Sequence, residues 1–172
     1  MKNTLLVVID MQNTIVKMAK NAQPHSGSDV LANNEKLIQA ANDANIPVAI
    51  VTVTKKYLPK ALQEKMLTLA LSQSLLTTPN ISYYTKYEPS ACSIPELREV
   101  IKSQKIETVI LTGLVTNNGV YKTYLDLTEQ TSVKVIPVED AMSARSEKLH
   151  TEAINQMANL TTTTAMIQEI KK

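Results

Sequence analysis

The sequence predicts a three-layer α/β/α fold, in which helices cover both faces of a mostly parallel sheet of six strands. Short apolar runs alternate with amphipathic helical segments along all 172 residues, and this alternation is typical of parallel sheets. The first run, residues 5–9, is apolar on both faces, as expected of a central strand. The length and the 44% hydrophobic content fit one domain with a substantial core, and we expect residues 1–172 to form that single domain.

The strands are predicted from short aliphatic and β-branched runs that turn or loop residues interrupt. We expect six of them, at residues 5–9, 47–53, 81–85, 108–112, 133–138 and 161–164. Helical segments with apolar residues three and four apart separate these runs. The predicted helices are 28–45, 58–75, 93–104, 117–129, 146–157 and a short one that ends at residue 170.

Two of these helices carry recognisable start signals. Ser28 precedes an apolar-periodic segment and is expected to cap its first turn. Ser93 is followed by Pro95 and then by Glu96 at the capping-box position, so the third helix is expected to begin at Ser93.

Composition excludes several classes of protein. The net charge is +2, and 16 lysines accompany only two arginines, Arg98 and Arg145, which argues against a nucleic-acid partner. No apolar run has the length of a membrane span, and the first strand is too short for a signal peptide core. A single cysteine, Cys92, permits no internal disulfide and fits the cytoplasm. We therefore expect a cytoplasmic protein with a small-molecule partner and no membrane partner.

Polar residues that follow the strands mark the expected site, because open α/β sheets bind ligands at the carboxyl ends of their strands. Asp10 ends the apolar first strand, so burial would raise its pKa and suit it to acid–base chemistry; capping of a neighbouring helix is an equal alternative. Lys86 could hold the Asp10 carboxylate, or it could be an ordinary solvated lysine. Gln12 and Thr54 also follow strands and are expected near a substrate.

The segment 111–120 predicts a strand, a turn with glycine and a helix start. Backbone N–H groups in the first turn of a helix have no helical partner and could bind a developing oxyanion. An ordinary connection between strand and helix would explain Gly113, but it explains Gly119 less well.

The sequence at this point resembles the isochorismatase-like hydrolase family along nearly the whole chain. The resemblance rests on four motifs, at residues 6–13 (LVVIDMQN), 86–91 (KYEPSA), 112–120 (TGLVTNNGV) and 139–150, where Glu139, Asp140, Ala141, Glu147 and His150 match. It implies the three-layer fold and a homo-oligomer of two or more chains; we expect no metal and no cofactor.

The family's usual site combines an Asp, a Lys and a nucleophilic Cys. The resemblance places the first two at Asp10 and Lys86, but the Cys position falls on Gly119, which cannot attack a carbonyl. Isochorismatases also have Gly there and cleave an enol ether: the Asp is thought to protonate the vinyl carbon, and water then attacks the oxocarbenium ion. The resemblance also implies a cis peptide between Val115 and Thr116, which would aim the N–H groups of Asn118 and Gly119 at substrate.

We therefore predict a hydrolase that acts on a small carboxylated or carbonyl metabolite. Asp10 would be the acid–base group, Lys86 would set its ionisation, and Gly119 would complete the catalytic set. The predicted substrate-binding residues are Gln12, Thr54, Val115, Thr116 and Asn118. Two alternatives stay open: a binding or scaffold protein without catalysis, and an amidase that uses Cys92. The two histidines, His25 and His150, lie far apart in sequence and predict no zinc site.

Overall fold

The sheet is parallel throughout and has five strands. The computed structural model describes all residues, 1–172. The strands are β1 (Thr4–Ile9), β2 (Val48–Val53), β3 (Ile81–Lys86), β4 (Thr108–Leu114) and β5 (Lys134–Ser143). Their order across the sheet is β3-β2-β1-β4-β5, so β1 is central and β3 is an edge strand.

Seven α-helices surround the sheet. They are α1 (Asn13–Met18), α2 (Gly27–Asp43), α3 (Lys60–Leu67), α4 (Pro95–Ser103), α5 (Tyr121–Gln130), α6 (Glu147–Ile154) and α7 (Thr163–Ile170). A π-helical turn, Thr116–Val120, leads from β4 into α5, and short 3₁₀ turns lie at Ala19–Asn21, Gln73–Leu75 and Ala91–Ser93. None of these helices combines the length and the apolar composition that crossing a membrane would require.

The three-layer architecture follows from the apolar residues of the central strand. All six residues of β1 are buried, and successive side chains point to opposite faces. Leu5, Val7 and Ile9 pack into a core with α4, α5 and α6, whereas Leu6 and Val8 pack into a second core with α2 and α7. The predicted α/β/α class is confirmed, and the two-sided apolar pattern of β1 is its direct cause.

The prediction of a sixth strand at residues 161–164 is wrong. Thr161 makes only an isolated parallel bridge to Val138, and α7 begins two residues later. The Thr162 side chain accepts the N–H of Ala165 and caps that helix. A run of threonines has the composition of a strand, but here the local capping bond favours a helix start.

Both predicted helix starts are also wrong. Ser26, not Ser28, caps α2 and forms a capping box with Asp29. Ser93 donates its hydroxyl to the carbonyl of Ser90 inside a 3₁₀ turn, so α4 begins at Pro95. A nearby serine thus caps α2, whereas no side chain caps α4, whose N-cap residue is Ile94.

The predicted helix 58–75 is shorter than expected. Helix α3 ends at Leu67, because the next residues pair with the segment that follows β1. Asn13 donates its N–H to the carbonyl of Thr68, and Ala70 donates to the carbonyl of Met11. This pairing ties the start of α1 to the chain after α3.

Gly113 provides the first testable prediction. Its φ of 115° is a conformation that side chains rarely adopt, and a Cβ there would lie 2.0 Å from the carbonyl oxygen of Ile9. We expect Gly113→Ala to reduce the free energy of unfolding in urea by about 3 kcal/mol or more. Gly119→Ala is the comparison and should lose less, since its nearest contact, at 3.2 Å, is the end of the Lys86 side chain and not backbone; equal losses in the two variants would contradict this account.

Candidate active site

A buried ion pair joins the ends of two strands that are not adjacent. Asp10 directly follows β1, and Lys86 is the last residue of β3, with β2 between them. The Nζ atom of Lys86 lies 2.9 Å from Oδ2 of Asp10, and the two side chains are 1% and 8% exposed. The lysine therefore reaches across the end of β2, and the sequence expectation that these two residues meet agrees with this geometry.

Backbone groups hold both members of the pair. Asp10 donates its N–H to the carbonyl of Val51 at 2.8 Å and has a φ of 55°, which turns the chain sharply at the end of β1. Lys86 donates a second hydrogen bond to the carbonyl of Pro89 at 2.7 Å. The ammonium thus lies between a carboxylate and a carbonyl oxygen, which fixes its position.

The two oxygens of Asp10 have different surroundings. Oδ2 accepts from Lys86, whereas Oδ1 is buried and accepts no hydrogen bond. Burial raises the pKa of Asp10 to about 6, although the Lys86 ammonium acts in the opposite direction. Because Oδ2 is occupied, Oδ1 is the oxygen that can carry a proton near neutral pH.

Gly119 lies directly beside the ion pair. A Cβ at this position would be 3.2 Å from Lys86 Nζ, 3.3 Å from a methyl of Ile9 and 3.5 Å from Asp10 Oδ2. The turn Thr116–Val120 thus places residue 119 next to the Asp10 carboxyl group and the Lys86 ammonium. A side chain here would meet both groups, and glycine leaves them without that contact.

The N–H of Asn118 does not point to a substrate, and that prediction is wrong. It donates to the carbonyl of Val115 at 3.1 Å, because this turn closes on itself at the start of the helix. The Asn118 side chain is exposed. The cis peptide expected between Val115 and Thr116 lies one residue earlier, between Leu114 and Val115.

Thr116 is part of the packing between the turn and α6. Its fully buried hydroxyl lies 2.9 Å from Nδ1 of His150, a residue that is itself 3% exposed. His150 matches a motif of the family in the sequence, but no sequence pattern pairs it with Thr116. Only proximity in three dimensions reveals this contact.

Gln12 braces the site, and its carboxamide is not available as a ligand. It is fully buried, donates to the carbonyls of Val53 and Met66 at 2.9 and 2.6 Å, and accepts the N–H of Val53 at 2.8 Å. Thr54 differs: it is 1% exposed, and its hydroxyl makes no hydrogen bond. Its N–H donates to the carbonyl of Lys86 at 3.2 Å, so it adjoins the pair through the main chain.

Cys92 is not an activated thiol. It lies buried in the 3₁₀ turn before α4, and burial, with a contribution from the charge of Asp126, raises its pKa to about 11. A thiol with this pKa is almost entirely protonated at neutral pH. No group of three or more His, Cys, Asp or Glu side chains is arranged to hold a metal ion.

The parallel sheet, its two helical layers and the polar site at the carboxyl ends of the strands define a doubly wound α/β protein. Comparison with known protein families identifies which family of doubly wound proteins this chain belongs to. The Isochorismatase domain matches residues 4–169, and the chain belongs to this family. A search of curated proteins by sequence gave no significant match.

Solved structures of the same fold cover nearly the whole chain. An isochorismatase family protein from Burkholderia thailandensis is 26% identical, with a TM-score of 0.83 over 99% of this chain and 96% of that one. The MAR1 ribonuclease from Caenorhabditis elegans is 29% identical, with a TM-score of 0.80 over 98% and 81%. The ycaC gene product of Escherichia coli, described as an octameric hydrolase of unknown specificity, shares the fold at 19% identity, with a TM-score of 0.79 over 98% and 79%.

Titration of Asp10 tests the electrostatics of the site. We expect its carboxyl carbon, followed by ¹³C NMR, to titrate at about 6. Lys86→Met should move this pKa upwards, because it removes the charge that favours the carboxylate while burial persists. Lys55→Met, which removes a lysine that makes no ion pair, should leave it unchanged. A value near 3.8 in the unmodified protein would contradict the burial of Asp10.

Proposed function

We propose that this chain is a thiol-independent hydrolase that acts on a small carboxylated or carbonyl metabolite, with Asp10 as the acid–base group. The observation that supports it is the 2.9 Å contact between Lys86 and Asp10, with a glycine beside both. A pKa of about 6 leaves about a tenth of the carboxyl groups protonated at pH 7. The group can therefore both give and take a proton under ordinary conditions.

The reaction that fits these groups is the hydrolysis of an enol ether. Protonated Asp10 gives its proton from Oδ1 to the vinyl carbon, and the double bond becomes an oxocarbenium ion. Water adds to that ion and returns a proton to Asp10, and the resulting hemiketal separates into a ketone and an alcohol. No covalent intermediate with the protein is needed, so Gly119 is compatible with the chemistry.

Lys86 has a positioning role in this proposal. Its ammonium occupies Oδ2 and thereby directs the proton to Oδ1. It also lowers the pKa that burial alone would give to Asp10, so the carboxylate form remains accessible for the next cycle. An anionic group of the substrate would find this cation at the same edge of the sheet.

Hydrolysis of amides by a thiol is not proposed. Residue 119 has no side chain, and Cys92 has a pKa raised to about 11. Cleavage of RNA, which the name of the Caenorhabditis elegans protein describes for that protein, is not proposed for this chain either. A net charge of +2 with two arginines offers little to bind a polyanion.

A second candidate function is ligand binding without catalysis, and the burial of the pair favours it. The Asp10 side chain is only 8% exposed. A cavity of about 670 Å³ includes Lys86 and Tyr87 in its wall, but neither Asp10 nor Gly119. In this alternative the ion pair would stabilise a binding protein and would not meet a substrate.

We also propose a homo-oligomer of two or more chains and a cytoplasmic location. The octameric Escherichia coli protein with the same fold supports the first proposal. The single buried cysteine supports the second, since it forms no disulfide.

Isochorismate is the probe for the proposed reaction, and pyruvate release is the measurement. We expect Asp10→Asn to lower the rate at least about 100-fold, because an amide cannot supply the proton. Asp43→Asn, a neutralised carboxylate on the exposed end of α2, is the matched control and should retain the rate. The rate should fall about tenfold per pH unit above pH 6, since the protonated form of Asp10 is lost as pH rises.

Two results would contradict the proposal. The first is a rate that stays constant from about pH 5 to pH 8, which would mean that Asp10 is not the acid. The second is the absence of pyruvate together with no turnover of amides, which would favour the binding protein.

A further inference from the structure

Two histidine rings meet beside the turn that carries Gly119. His150 of α6 and His25, in the loop before α2, have ring centroids 6.4 Å apart and ring planes at 89°. His150 is 3% exposed, and His25 is half-buried. They are the two histidines of the chain, and the proposed reaction uses neither. Because an ordinary histidine changes its charge close to neutral pH, a contact between two of them is sensitive to pH.

The loop that carries His25 is tied to the end of β5. Gln23 donates its N–H to the carbonyl of Ala144 at 2.9 Å and accepts the Ala144 N–H at 3.1 Å. His25 donates its N–H to the hydroxyl of Ser143 at 3.3 Å. These hydrogen bonds lie within two residues of the His25 ring, so a repulsion between the two rings would act directly on them.

His150 holds the turn from the other side. Its Nδ1 lies 2.9 Å from the hydroxyl of Thr116, the first residue of the turn Thr116–Val120. This hydroxyl is buried and makes no other hydrogen bond, and it can donate to Nδ1 only while that nitrogen has no proton. Protonation of Nδ1 would leave the hydroxyl hydrogen without an acceptor and place a cation in the interior, and both are unfavourable.

The surroundings of the two rings favour an uncharged His150. Burial lowers the pKa of His150 below the ordinary 6.5, and the charge of His25 lowers it further. Asp29 of the α2 capping box lies near His25: hydrogen bonds from Ser26 lower the pKa of Asp29, and the His25 charge contributes. The turn 116–120 has no titratable side chain. The other charged residues on α6 and next to it are Arg145, Glu147, Lys148 and Glu152, and β5, which packs against α6, carries Lys134, Glu139 and Asp140.

We propose that His25, His150 and Thr116 form a pH-sensitive latch, which holds the turn beside Asp10 and Lys86 while His150 is neutral and releases it when the rings are protonated. Two positive rings repel each other, so the loop separates from the end of β5 and Thr116 loses its acceptor. His150 is thus a positioning residue that acts on Gly119 through Thr116. As regulation of the hydrolase, the latch rests on the proposed function, but its release requires no substrate.

The direction of the pH effect follows from the pKa of His150. Because folding lowers this pKa below the ordinary 6.5, the unfolded or released state binds the proton more readily than the closed latch does. The closed latch is therefore fully favoured above about pH 6.5 and weakens as the pH falls through the pKa of the buried ring.

The NMR signals of the two rings give the first measurement, on the full chain without substrate. We expect the Hε1 proton of His150 to titrate below 6.5. His25→Gln should raise this pKa, because it removes a neighbouring positive charge. Lys148→Gln, which neutralises an exposed lysine of the same helix, is the matched control and should leave the pKa of His150 unchanged.

Amide hydrogen exchange measures the release itself. Exchange at Gln23 and Val120, corrected for intrinsic rates and compared with Leu6 of the central strand, should speed up about threefold or more between about pH 7 and pH 5. His150→Asn, whose amide can accept from Thr116 but does not titrate, should abolish this pH dependence. Thr116→Val, which has the same shape without the hydroxyl, should speed exchange at Val120 at both pH values.

Three results would overturn the proposal. One is a pKa of His150 that His25→Gln leaves unchanged. Another is exchange at Gln23 and Val120 that keeps the same ratio to Leu6 at both pH values. The third is a His150→Asn variant with the pH dependence of the unmodified chain, because Asp10, which titrates at about 6, would then be its source. Pyruvate release is measured separately, so failure of the hydrolase proposal is distinguishable from failure of the latch.

Discussion

The site depends on one electrostatic constraint, the removal of Asp10 and Lys86 from water as a pair. Either charge alone would be strongly unfavourable in the interior, so each requires the other. The geometry meets this requirement in a specific way: the ammonium has two oxygen acceptors, on Asp10 and Pro89. One carboxylate oxygen remains without a partner. In the proposed function, this oxygen is the one that carries the proton.

The surrounding fold positions Asp10 and Lys86 on either side of the end of β2. Strand β2 lies between the two residues, and Gln12 fixes its end through both atoms of its carboxamide. The main chain of Thr54 donates to Lys86 on the other side. Glycine occupies residue 113, in β4, and residue 119, in the turn that follows, for two different physical reasons. Gly113 avoids a clash with the backbone of β1, whereas Gly119 leaves the carboxylate and ammonium free of a side chain.

Sequence patterns predicted those features that hydrophobic burial determines. The uninterrupted apolar run of β1 predicts its central place, and the polar residues at strand ends predict the edge at which Asp10 and Lys86 meet. The errors have another origin. Ser28, Ser93 and the threonines from residue 161 have plausible local signals, but competing hydrogen bonds at Ser26, Ser90 and Thr162 decide the outcome. The spacing of residues in the sequence does not show which of two possible hydrogen bonds is the more favourable.

Hydrogen bonds that the sequence does not reveal also involve three of the predicted substrate-binding residues. Gln12, Thr116 and Asn118 are polar and lie near the strand ends, so the sequence suggests substrate contacts. The Gln12 carboxamide bonds to Val53, the Thr116 hydroxyl lies against His150, and the main-chain N–H of Asn118 bonds to Val115, which a sequence cannot show.

A double-mutant cycle on stability tests the central claim most directly. Urea unfolding would be measured for Asp10→Asn, Lys86→Met and the two together. Each single change should reduce the free energy of unfolding by about 3–5 kcal/mol, because it leaves a buried charge or polar partner uncompensated. The double variant should lose much less than the sum. The claim would be contradicted if the loss in the double variant equalled the sum of the two single losses, or if each single loss stayed within about 0.5 kcal/mol. The two groups would then not be a buried, mutually dependent pair.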